Sequence, residues 1–497
     1  MSRPPADLET TPLLPSTPRD IHRDENGYTR HNDLVELVGP HDPLNPQNSM
    51  PQWRKWVCAI LLGAMTFAAT FSSAVFAAVA PGLAAELHST PQQMALATSL
   101  FVFGFAAGPV LMGPASEVYG RKLPLFAGYL AFILSQIPVA CAQDVQTILI
   151  WRFVGGVASS GSPAIVGGYL ADFLRPVERG VAIAIFAATT LIGPPVGAIV
   201  GSILLQTSLG WRWAAWLSMI MGVVFCGMGF LVVPETYVAV LLQREASRLR
   251  RETGNWAYHS KLDENPITLR SFVVRYLSRP FAMLIQEPIL MLMTLYVSFT
   301  FGMIYLLFVA YSFSFIRERG FSGVEGSLPL LAVVVGIIIG SVYVSRYTLT
   351  TYSRKFQNNQ QAVPEDRLPP MILGGAVLPI GLFWFAATCS PGTNAWPQIL
   401  SGVPTGAGIQ IITLQSLAYV LDIYTINANS GVSGTVIVRS ILGGLFPLVA
   451  IPMYQDLGAQ KATAIVGLVA AIFGVVPVLL YLFGARIRSW SKYVIET

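Results

Sequence analysis

Long apolar stretches separated by short polar connectors occupy most of the chain. Twelve can be placed, at 56–79, 92–112, 124–142, 146–168, 180–204 and 212–233, then at 286–311, 326–346, 369–389, 396–421, 431–453 and 462–484. About 20 consecutive apolar residues suffice for a helix to cross the hydrocarbon of a bilayer. The pattern therefore predicts an all-α membrane protein with twelve transmembrane helices. They are laid out as six spans, a polar segment at 234–285, and six more. Within that segment Leu241, Leu242, Ala246 and Leu249 recur at helical spacing beside Arg244, Arg248, Arg250 and Arg251. This predicts an amphipathic helix, lying on a membrane surface or standing solvated.

Residues 1–52 lack an apolar core and are rich in Pro, Asp, Thr and Asn. The composition predicts a disordered tail rather than a signal peptide. The run Glu9–Leu14 (ETTPLL) resembles an acidic dileucine sorting signal, a short pattern that also arises by chance. Residues 485–497 form a short C-terminal tail.

Only 11% of the residues are charged although 53% are hydrophobic. A soluble domain carries about a quarter charged residues. The mean hydropathy is +0.58. The placement of charge sets the orientation. Of 31 lysines and arginines, 25 fall on the side of the N-terminus, four on the other side, and two, Arg152 and Arg439, inside spans. Positive residues collect on the cytosolic side, so both termini are expected there. Cys58, Cys141, Cys226 and Cys389 lie in apolar runs without metal-ligand spacing and read as packing residues.

The connector between the second and third spans reads GPASEVYGRKLPL, from Gly113 to Leu125. Gly113 and Gly120 permit tight turns and close helix approach. Glu117, Arg121 and Lys122 could pair in one conformation and part in another, or simply anchor the loop on the cytosolic side. Span 5 holds IGPPVGAIVGS, where Gly193, Gly197 and Gly201 recur every four residues beside Pro194 and Pro195. Such a stripe lets another helix approach closely.

These stretches, with WRFVGGVASS, ADFLRPVERG, GWRWAAW, PETY, YVLDIYTINANSGVSG and VRSILGGLFPL, resemble the major facilitator superfamily over roughly residues 50–490. The nearest resemblance is to its fungal drug:proton antiporter branch, which includes multidrug, polyamine and secondary-metabolite exporters. Glu117 stands where aspartate is commoner. The resemblance implies two six-helix bundles, at 53–233 and 286–484, around a central cavity that opens alternately to each side. It makes Gly113, Glu117, Gly120, Arg121 and Lys122 a gating motif. It makes Gly193, Pro194, Gly197 and Gly201 an antiporter motif.

Arg152 opens span 4, where its charge is costly unless paired, hydrated or drawn to an interface. The resemblance associates it with proton coupling. Arg439 lies nearer the cytosolic start of span 11 and reads equally as an anchor. Asp172 and Asp422 end spans 4 and 10; each is a proton-coupling candidate or an interfacial cap, and Glu287 is a further acid near the membrane. Some bacterial relatives carry an acid inside span 1, and this span 1 has none. Tyr296, Phe299, Tyr305 and Phe308 on span 7 are candidates to line a cavity, or to pack. Gln410, Gln415, Asn427 and Asn429 could orient a bound molecule.

The chain shows no phosphate-cradling loop, metal cluster or nucleophile elbow. It is expected to be neither an enzyme nor a nucleic-acid binder, and to need no cofactor or metal. The expected activity is proton-coupled antiport of small organic molecules by a monomer in the plasma membrane. The dileucine-like run keeps the vacuolar membrane open. The alternative is an organic-acid, polyamine or nutrient carrier of the same fold.

Overall fold

The computed structural model describes residues 33–37, 42–264, 278–355, 363–424, 428–489 and 491. The dileucine-like run, Asn427 and the side chain of Asn429 lie outside the described residues. The chain forms two compact units.

The larger unit holds the membrane helices. In the first half they are span 1 (Gln52–Glu86), span 2 (Pro91–Val118), span 3 (Lys122–Ala140), span 5 (Pro176–Gln206) and span 6 (Arg212–Val232). Span 4 is made of two shorter helices, Val145–Ser159 and Gly161–Phe173, meeting at Ser160. In the second half, span 7 (Pro288–Tyr311) and span 8 (Leu330–Tyr347) are followed by span 9 (Leu368–Thr388) and span 10 (Gly402–Tyr424). Spans 11 and 12 run as one segment, Ala428–Gly474, broken at Gly458, and span 12 continues as Val476–Arg488. The backbone there has φ of 75°, which glycine adopts without strain. The fold is the expected twelve-span arrangement.

Composition separates span 1 from span 6. Span 1 is rich in Ala, Ser, Thr and Gly, and residues 68–76 are buried throughout. Span 6 is built of Val, Met, Phe and Leu and leaves Val223, Val224, Phe230 and Leu231 exposed on the outside. Lipid tails are as apolar as leucine, so the hydrophobic effect alone does not bring helices together. Small side chains let backbones meet along span 1, and the large ones of span 6 face outward, whereas span 7 buries its large side chains against its neighbours.

The two halves pack alike. Span 1 lies against span 5 as span 7 lies against span 11, and span 2 against span 4 as span 8 lies against span 10. The bundles meet where span 2 packs on span 11 and span 5 on span 8. Gly443 and Gly444 make the first contact close: a Cβ at Gly444 would meet Phe103 and the Ser99 carbonyl.

The smaller unit joins tail residues to the segment between the bundles. Its helix Val238–Thr253 has the expected amphipathic pattern. Ala246 is buried with Val35 and Tyr258, and Leu242 and Leu249 pack on them. Part of the apolar face is thus covered by protein, where a membrane-surface helix would present it to lipid. The cover comes from the tail: Val35 N–H donates to the His259 carbonyl (2.9 Å), and Lys261 pairs with Glu36 (2.5 Å). The tail is therefore not irregular throughout. The His259 ring faces the Ala257 carbonyl (2.7 Å) and Glu264 (2.9 Å), which together raise its pKa.

Candidate functional site

The charged connector ends span 2 at a residue that must be glycine-like. Gly120 has φ of +89°, and a Cβ there would strike the Glu235 carboxylate. That carboxylate lies against the start of span 3. It accepts from the backbone N–H groups of Arg121 (2.9 Å) and Lys122 (3.0 Å), and from those of Thr236 (3.0 Å) and Tyr237 (2.9 Å). The first N–H groups of a helix lack partners within it and carry its positive dipole end. A carboxylate from beyond span 6 supplies both the partners and the opposite charge.

Arg121 then points across to span 4. Its Nε donates to Asp172 (3.2 Å), its Nη1 to the Ser116 hydroxyl (2.9 Å), and its guanidinium lies 4.7 Å from the centre of the Tyr237 ring. Thr236 also donates to Asp172 (3.2 Å). Lys122 donates to the Phe230 carbonyl (2.9 Å). Glu117, one turn before Gly120, borders the same cavity as Arg121.

The second half repeats this device with different chemistry. Asp422 at the end of span 10 accepts from Arg367 Nε (2.8 Å) and the Tyr352 hydroxyl (3.0 Å). The Arg367 guanidinium stacks 3.5 Å over the Tyr352 ring. Arg488, in the last turn of span 12, pairs with Glu365 (3.1 Å). Arg367, Tyr352 and Glu365 were not among the residues the sequence singled out, and Glu235 lay in the PETY run without an assigned role. The signal that could have found them is the six-span repeat: an acid ending span 4 calls for an acid ending span 10, each with a basic partner from a neighbouring loop.

Arg152 is fully buried, so it is not drawn to an interface. It donates to the carbonyls of Ala97 (3.0 Å), Ser72 (2.8 Å) and Ser73 (2.9 Å), between the rings of Phe76 and Phe101. The Ser73 hydroxyl donates to Thr70 O (2.6 Å), which leaves its oxygen to accept from Tyr305 (2.9 Å) on the other bundle. The Tyr305 ring packs edge-on to Phe301, and Arg439 lies 4.6 Å over Phe301.

The glycine stripe of span 5 meets span 1 backbone to backbone. A Cβ at Gly193 would strike Thr70, and one at Gly197 or Gly201 would come within 2.6 Å of the Phe71 or Val75 carbonyl. Pro194 sits inside the same continuous helix.

Two cavities lie toward opposite ends of the larger unit. One, of about 600 Å³, is at the charged end and is bordered by Glu117, Arg121, Asp422 and Arg439. The other, of about 710 Å³, is bordered by Ala77, Thr98, Ser202, Tyr305, Phe308 and Gln455. Of the four span 7 aromatics, Tyr305 and Phe308 therefore border a cavity. Tyr296 and Phe299 instead stack on Phe473 of span 12, at 5.8 and 5.1 Å. Gln410 and Gln415 are buried, and among the described residues neither side-chain amide has a hydrogen-bond partner. No group of acids, histidines or cysteines suited to a metal occurs among the described residues.

The profile of the Major Facilitator Superfamily matches residues 62–430. The chain belongs to this superfamily. It is 58% identical to the MFS-type transporter tazK of Aspergillus terreus over 71% of this chain and all of that protein. It is 46% identical to the citrinin biosynthesis cluster MFS transporter mrr1 of Monascus ruber, over 93% of this chain and 92% of that one. The solved structure of the proton:xylose symporter XylE superimposes with a TM-score of 0.63 at 16% identity, covering 88% of this chain and 96% of that one. At that identity the likeness concerns the fold. This facilitator is a multi-pass membrane transporter of small molecules, and not an enzyme.

Proposed function

We propose that this facilitator exports small organic molecules, of the secondary-metabolite kind, in exchange for protons. The observation that carries the reading is the pair of cavities on either side of one layer, joined across the bundles by the Ser73–Tyr305 hydrogen bond. A carrier that rocks two bundles about a central site needs such a layer and an access route on each side. The excess of lysine and arginine at the charged end supports a cytosolic position for it. A load taken up there leaves through the cavity bordered by Tyr305 and Phe308. The outward direction draws support from the Monascus ruber relative, which is named for a biosynthesis cluster.

Proton coupling is assigned to Asp172, with Arg152 holding the span 1 backbone in place and Asp422 repeating the arrangement in the second half. A proton on Asp172 removes the charge that holds Arg121. It thereby loosens the tie between spans 3 and 4 at the charged end. Arg121, Lys122 and Glu117 form the gate, with Gly113 and Gly120 as its turns. The Gly193, Gly197 and Gly201 contact is a bearing surface against span 1.

The test is efflux of preloaded aromatic dyes and metabolites from cells expressing the wild type or Asp172→Asn, with and without a proton uncoupler. Wild-type efflux should collapse with the uncoupler. Asp172→Asn should lower the uncoupler-sensitive part about tenfold, which is 1.4 kcal/mol. Efflux that ignores the uncoupler would remove the proton from the mechanism.

A further inference from the structure

We propose that Arg439 is the anchor for an acidic group on the transported molecule, a carboxylate or an acidic phenol or enol. The inference deepens the export reading by naming a substrate class for the same cavity.

Arg439 sits in span 11 on the wall of the cavity at the charged end. Its Nε is enclosed and has no hydrogen-bond partner. Among the described residues no hydrogen bond or ion pair involves its guanidinium, and its one ring contact is with Phe301. A half-buried guanidinium within a membrane span, with its Nε enclosed and unpartnered, is costly. Among the described residues no acid pairs with it. Asp422, on the same cavity wall, is engaged by Arg367 and Tyr352, and Asp172 by Arg121 and Thr236. Thr435, one turn before Arg439 on the same wall, is bonded to Thr294 and to Gly431 O. A planar fork of donors facing a cavity without an acceptor fits a carboxylate or an ionised enol.

The cavity as a whole favours the same ligand. The charged residues on its wall are Arg121, Arg179, Arg279 and Arg439 against Glu117 and Asp422. A cleft with an excess of one sign raises the local concentration of the opposite one. Its volume of about 600 Å³ suits a drug-sized molecule. An ionised organic acid cannot leave through lipid by itself, since an isolated carboxylate is too costly to bury. Such a compound, made inside a cell, is the kind that needs a carrier.

The experiment measures equilibrium binding of three probes that share one ring system: 1-naphthoic acid, 1-naphthamide and 1-naphthylmethylamine. The full chain is used in lipid nanodiscs at equal pH on both sides, as wild type, Arg439→Gln and Arg439→Lys. The wild type should bind the acid about tenfold more tightly than the amide, and the amine least. Arg439→Gln should erase the preference of acid over amide while keeping amide affinity. Arg439→Lys should restore part of it, which separates loss of charge from loss of fold. Absence of acid binding, equal binding of acid and amide by the wild type, or an unchanged preference in Arg439→Gln would each overturn the proposal. Binding at equilibrium needs no gradient. Uncoupler-insensitive efflux would therefore sink the proton-driven reading and leave this one standing, and a charge-blind binding site would do the reverse.

Discussion

Arg152 and Arg439 are both guanidinium groups placed inside membrane helices, and the molecule treats them in opposite ways. Arg152 is closed in between spans 1, 2 and 4, with three backbone carbonyls and two aromatic rings around it. Arg439 has one aromatic ring, an orphaned Nε and a cavity in front of it. The first arrangement spends all of the donors on the protein's own backbone and so makes a fixed strut. The second leaves them for something that comes and goes. A charge in a membrane helix is a pointer to function only once its partners are known.

The comparison can be broken most forcibly at Arg152. Arg152→Gln removes hydrogen bonds to three carbonyls of neighbouring helices and leaves space between Phe76 and Phe101. Loss of bonds to a charged donor at about 1.5–3 kcal/mol each, partly recovered by the shorter amide, predicts a destabilisation of about 3 kcal/mol. Thermal unfolding in detergent would show it as a clear drop in Tm. An unchanged Tm would mean that Arg152 is not a strut.

Tyr305 stands between the two arginines and tests the layer that separates the cavities. Tyr305→Phe deletes the bond to Ser73 and keeps the ring. About 1 kcal/mol of cross-bundle contact should be lost. That shifts the balance of conformers about fivefold without unfolding either bundle. Alkylation of a single cysteine placed at Ala77 should change rate accordingly, and an identical rate would discount the bond as a tie. The smallest loss is expected at Arg439 in the absence of ligand. Arg439→Gln should leave stability unchanged or raise it, because no protein partner loses a hydrogen bond and an uncompensated charge is removed. A large destabilisation there would show that Arg439 too is structural.

Much of the proposed gate is readable in the chain. Gly120 followed by Arg121 and Lys122 marks a turn into a helix, and Asp172 and Asp422 stand out as the acids that end their spans. Their partners are less visible. Glu235 lies more than a hundred residues from the N–H groups it caps, and Arg367 looks like one more positive residue in a cytosolic loop. Partnership across helices depends on which helices are neighbours, and hydropathy does not encode that. Span 7 shows the same limit. Its aromatics have no apolar face to set against a polar one, since the span is buried almost throughout. The pattern therefore could not separate Tyr305 and Phe308, on a cavity, from Tyr296 and Phe299, stacked on Phe473.

By itself the sequence determined the number of spans, their division into two sixes, and the close packing along span 5. It did so because hydrocarbon demands apolar helices long enough to cross it and because small residues, glycine above all, admit a neighbouring backbone. Tertiary structure alone decided the fate of each intramembrane charge. Two arginines of equal chemistry became a strut and an open donor because one met three carbonyls and the other met a cavity, and those neighbours come from helices far apart in the chain.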